Sequence, residues 1–129
     1  MKHVDSTPEV LLVCDSSLLA PLLQDLCMAA GCRVTLLPDA RAALTHLQSQ
    51  AVPPTLILVE LLLGPASGFH VARRLREHCA APLWLLSGTD RGSDEGWAPT
   101  TGACGVLRYP LQAEVLRNVL AKSGERAHD

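Results

Sequence analysis

The 129 residues are 48% apolar and 19% charged, with 13 acidic against 11 basic side chains and a formal net charge of −2. That length fits one domain with a hydrophobic core of its own, and that apolar content excludes a disordered chain. A charge so nearly balanced gives no electrostatic handle on nucleic acid or on an anionic membrane, and 3% aromatic residues leave no platform for stacking bases.

Short apolar runs alternate with segments of helical period along the whole chain. Val10 to Val13 is the first run, a strand stopped by Asp15-Ser16-Ser17. Leu19, Leu22, Leu23, Leu26 and Ala30 then recur at helical spacing. Ser16 or Ser17 can cap that helix, Pro21 falls in its first turn, and Gly31 suits its end. Arg33 to Leu37 reads as a second strand, after which Asp39 caps a helix with Ala40, Ala43, Leu44 and Leu47 on one face.

Pro53-Pro54 breaks the chain before Thr55 to Glu60, the most apolar strand and one without alternation, which suits a parallel sheet covered on both faces. Gly64 to Gly68 is a loop. The next helix has Phe69, Ala72, Leu75 and Cys79 inward and Arg73, Arg74, Arg76 and Glu77 largely outward. Leu83 to Ser87 and Gly105 to Arg108 complete five strands. The last helix carries Leu111, Val115, Leu116, Val119 and Leu120, then gives way to the polar tail from Lys122.

Strands and helices in strict alternation predict a single-domain α/β sandwich of three layers. No apolar run approaches a membrane span, since the longest, Leu56 to Leu63, carries Glu60. The amino terminus lacks the apolar core of a signal peptide. Five cysteines, odd in number and without a CxxC pair, read as reduced thiols, so a cytoplasmic location is expected.

In such sheets functional groups gather beyond the carboxyl ends of the strands. Those ends are Cys14-Asp15, Glu60, Ser87-Gly88 and Tyr109-Pro110. Two carboxylates, a hydroxyl and a phenol thus converge on one rim.

This ordered set resembles the receiver domain of bacterial two-component response regulators, from about Glu9 to Ala121, with polar tails at 1–8 and 122–129. Val13-Cys14-Asp15 falls on the family's acidic pair. Leu56 to Glu60 falls on the strand of the phospho-accepting aspartate, with Ser67-Gly68-Phe69 and the Arg73-Arg74-Leu75 helix after it. Ser87-Gly88, Gly102-Ala103 and Tyr109-Pro110 match the family's Thr/Ser-small, Gly-Ala and Lys-Pro steps. The resemblance implies a flavodoxin-like fold of five strands and five helices, sheet order 2-1-3-4-5. It also implies a signalling role with an output protein or histidine kinase as partner.

The departures fall on the chemistry. Cys14 replaces the first metal-binding acid, Glu60 replaces the phospho-accepting aspartate, Tyr109 replaces the lysine, and Val106 stands where many members have an aromatic. A glutamate carries its carboxylate one methylene, about 1.5 Å, further out than in-line attack tolerates. Tyr109 can donate a hydrogen bond to Glu60 where the lysine would have offered charge. Asp15 and Glu60 leave at most a weak Mg²⁺ site, the alternative being a hydrogen-bonded remnant with no ligand.

The expectation is a degenerate receiver, a protein-interaction module independent of phosphorylation and not an enzyme. The alternative is an active receiver that takes phosphate onto Glu60 from a histidine kinase with Mg²⁺. Between strands four and five, Gly92, Gly96 and Pro99 oppose a helix, so the fourth of the five helices is expected short or irregular, anchored by Trp97. Partner or second-copy contacts are then expected at the first and last helices, through Leu18 and the Leu116 to Leu120 stripe.

Overall fold

The computed structural model describes residues 7–50, 52–61, 68–87, 101–108 and 111–128. Its elements are β1 (Glu9–Val13), α1 (Leu19–Ala29), β2 (Arg33–Leu37), α2 (Ala40–Ser49), β3 (Leu56–Glu60), α3 (Gly68–Arg76), β4 (Leu83–Ser87), β5 (Gly105–Arg108) and α4 (Ala113–His128). The strands form one parallel sheet in the order β2-β1-β3-β4-β5. This is the expected three-layer sandwich. The segment expected to hold a short helix around Trp97 lies outside the described residues.

Two apolar layers hold the sheet, and strand alternation decides which residue enters each. Leu11, Val13, Ile57, Val59, Leu83 and Leu85 face α2 and α3, where Ala43, Leu44, Val71, Ala72 and Leu75 meet them. Val10, Leu12, Leu56, Leu58 and Leu86 face α1 and α4, against Ala20, Leu23, Cys27, Leu116, Val119 and Leu120. Every residue of β3 is buried, which is why that strand shows no polar alternation.

Helix ends are fixed by the residues the sequence offers for the purpose. Ser16 Oγ accepts the Leu19 N–H at 3.1 Å and its carbonyl takes the Ala20 N–H at 2.9 Å. Asp39 Oδ1 accepts the Ala42 N–H at 2.8 Å at the start of α2. α1 ends in a Schellman turn: Gly31, at φ 89°, donates to the Met28 carbonyl, and the next N–H, of Cys32, reaches back to Cys27. That turn brings Cys27 and Cys32 together in the core, both as free thiols.

Four expectations need correction. Leu22 is 65% exposed, because α1 is apolar on two sides and its Ala20-Leu23-Cys27 side meets the sheet. Leu116, Val119 and Leu120 are core residues, so among the described residues of the last helix Val115, 40% exposed, is the large apolar side chain left at the surface. Arg76 is not a solvated charge. Its guanidinium donates to the carbonyl of Ala81, and its stem lies against Gly102. α4 continues to His128, beyond the Lys122 at which its apolar spacing stops. No helix among the described residues is long and apolar enough to cross a membrane.

Gly68 opens α3 where the chain passes over the end of β3. A Cβ there would stand 2.6 Å from the Leu61 Cα and closer still to the Glu60 carbonyl oxygen. Both obstacles are backbone and cannot rotate away. Gly68→Ala is therefore expected to destabilise the domain by about 2–3 kcal/mol, read as a fall in the urea midpoint, whereas Gly→Ala inside a helix would ordinarily stabilise.

Candidate functional site

β1, β3 and β4 are neighbours in the sheet, so their carboxyl ends form one rim. Val13 lies opposite Val59, which sets the next residues, Cys14 and Glu60, side by side. Glu60 in turn lies opposite Leu86, with Ser87 one residue further along β4. The backbone here is tied on both sides. The Cys14 N–H bonds the Leu37 carbonyl at 3.0 Å, the Leu61 N–H bonds Leu86 at 2.9 Å, and the Gly68 N–H bonds Leu61 at 2.9 Å.

Of the expected site residues, Cys14, Glu60 and Ser87 are buried and Asp15 is exposed. Gly88, Tyr109 and Pro110 lie outside the described residues, and with them the expected bond from Tyr109 to Glu60. The two carboxylates occupy different environments: Asp15 faces water, whereas Glu60 is only 4% exposed.

Glu60 has a neighbour that the sequence reading did not give it. Cys14, opposite it on β1, is buried on the same side of the sheet. Burial first of all, and then the negative charges of Glu60 and Asp15, push the thiol up to about 11 against the opposing pull of Ser16. The signal was present in the sequence as a cysteine and a glutamate each following a valine at the ends of adjacent strands. Only the register shows that they are opposite one another.

A hard divalent cation takes about six oxygen ligands. Here the residue standing in place of an acid is a thiol that burial keeps protonated. Among the described residues no three of His, Cys, Asp and Glu are grouped so as to hold a metal ion. His46 lies 3.8 Å from Glu9 Oε2, which also accepts the Thr35 hydroxyl at 2.9 Å. That cluster starts from the first residue of β1, away from the carboxyl rim.

A parallel sheet of order 2-1-3-4-5 with an acidic residue ending its central strand defines a receiver-type α/β domain. The response regulator receiver domain family matches residues 10–121, and the chain belongs to that family. It is 27% identical over 79 residues to the sensory transduction protein BceR of Halalkalibacterium halodurans, a match covering 61% of this chain and 34% of the relative. The matched stretch thus spans about a third of the relative's length.

Among solved structures, the chain resembles a response regulator receiver domain protein from Clostridium thermocellum, with TM-score 0.83 and 17% identity over 94% of this chain and 97% of that one. It also resembles the receiver domain of a Francisella response regulator, with TM-score 0.80 and 19% identity over 94% and 99%. At such identities these likenesses show the fold alone.

The environment of the thiols makes a pH prediction. Cys14 is raised from 9.0 to about 11 and Cys27 from 9.0 to about 12, both chiefly by burial. Below pH 9 both are protonated in the folded and unfolded chain and contribute no pH dependence. Above it the unfolded chain ionises first, so stability falls by about 1.4 kcal/mol per thiol for each pH unit up to the folded value. The Tm is expected to drop between pH 9 and 11, and less steeply in Cys27→Val. In the native protein at pH 8, iodoacetamide should modify the exposed Cys104 and spare Cys14, Cys27 and Cys32, as read by peptide mass spectrometry.

Proposed function

We propose that this receiver domain acts in signal transduction as an interaction module that does not run an aspartyl-phosphate cycle. The observation that carries this reading is Glu60, a buried glutamate at the phosphoacceptor position set beside the thiol that stands where the first acid would be. An incoming phosphoryl group would meet a buried carboxylate and a neutral thiol and have to find its own counter-charge. The glutamate contributes a standing negative charge, which holds the domain in one state. Output then follows from abundance or partner binding. The partner class is a signalling protein, an output protein or a histidine kinase.

The surface best suited to a partner, or to a second copy, is the outer side of α1. Leu18, Leu22 and Met28 are 81%, 65% and 64% exposed, Pro21 and Ala29 are exposed beside them, and Asp25 is the charge among them. Among the described residues of the last helix, Val115 is an exposed large apolar side chain.

Acetyl phosphate with Mg²⁺, followed by intact-mass measurement, tests the reading. The wild type is expected to gain no phosphoryl mass, and Glu60→Asp alone is not expected to reach full phosphorylation. That substitution corrects the reach of the carboxylate but leaves Cys14 in place. Stoichiometric phosphorylation of the wild type would instead establish an active, Mg²⁺-dependent receiver.

A further inference from the structure

The rim carries an arrangement that the loss of phosphotransfer does not by itself require. Strand register sets Cys14 beside Glu60, and both are at least nine-tenths buried. Alternation along β3 sends Glu60 to the same side of the sheet as Leu56 and Leu58, the side on which Cys14 packs. The Cys14 backbone is pinned to Leu37, and the chain after Glu60 is pinned to Leu86, so neither strand end is free to slide.

A buried carboxylate needs donors or a cation. A metal supplies charge but needs further oxygen ligands around it, whereas a thiol supplies a proton and needs only its one neighbour. The described donors do not group into a metal site, and the register leaves the buried thiol beside the carboxylate on the same face of the sheet.

We propose that Cys14 is the positioning residue of this rim: its S–H proton holds the Glu60 carboxylate in the role a divalent cation would otherwise fill, making the pair a closed, metal-independent unit. This deepens the reading of the domain as phosphorylation-independent and concerns the same residues. It assigns the loss of metal dependence to one substituted side chain. Serine at position 14 keeps a donor and should preserve the unit. Aspartate removes the donor, adds an oxygen ligand and should open it.

Infrared spectroscopy on the full chain reads the bond directly, since S–H stretching falls where other protein groups do not absorb. The difference between wild type and Cys14→Ala isolates the Cys14 band. In Glu60→Gln, with a weaker acceptor, that band is expected to move to higher frequency, and in Asp15→Asn to stay. A band unmoved by Glu60→Gln overturns the proposal.

Thermal unfolding against MgCl₂ provides a second readout that does not depend on that variant. The Tm of the wild type and of Cys14→Ser is expected to be flat in Mg²⁺, and that of Cys14→Asp to rise with concentration. A wild type that responds like Cys14→Asp, or a Cys14→Asp as unresponsive as the wild type, contradicts the assignment to Cys14. Neither readout measures phosphotransfer. Phosphorylation of the wild type by acetyl phosphate would end the functional reading while leaving the thiol–carboxylate bond to be judged by its own spectrum.

Discussion

The parallel pairing of β1 with β3 is the constraint on which the rim depends. Both strands are central, β1 paired with β2 and β3, β3 with β1 and β4, and both are covered by helices on their two faces. A slip of β1 by one residue would turn Val10 and Leu12 away from α1 and α4 and move Leu11 and Val13 into their place. Because both layers are fully apolar, burial alone would tolerate that slip better than an amphipathic sheet would. Register is held instead by the ends. Thr55 donates its N–H to the Glu9 carbonyl at 2.9 Å and its Oγ1 accepts the Glu9 N–H at 3.3 Å at the amino side. At the carboxyl side the Cys14 and Leu61 amides are bonded to Leu37 and Leu86.

From that register follows the electrostatic character of the domain. A carboxylate buried to 4% exposure is tolerable only with hydrogen bonds, and the register sets the Cys14 thiol beside it as a donor on the adjacent strand. Burial above all keeps Cys14 protonated, so the thiol is a poor nucleophile. Asp15, one residue on, remains in water. Two acids expected to share a site are thereby separated into a structural carboxylate and a solvated one.

Much of the fold was legible because the strands are short uninterrupted apolar runs and the breaks between them carry capping residues. Ser16, Gly31 and Asp39 do what their types and positions suggested. What misled was pattern with two solutions. α1 has apolar residues on both sides, so spacing alone could not tell that Leu23 faces the sheet and Leu22 does not. Arg76 carries the same charge as Arg73 and Arg74, but only it can reach the carbonyl of Ala81. At the rim the sequence named Cys14 and Glu60 separately. It read one as a lost ligand and the other as an altered acceptor, and their juxtaposition needed the register between strands far apart in the chain.

The most direct test of the account is the amide spectrum of the isotopically labelled protein, recorded before and after adding beryllofluoride with Mg²⁺. If Glu60 is held by Cys14 in a closed, phosphorylation-independent rim, the resonances of Cys14, Asp15, Glu60, Leu61 and Ser87 stay where they were. Saturable shifts at those residues, spreading into β4 and β5, would show a working phosphoryl site and contradict it.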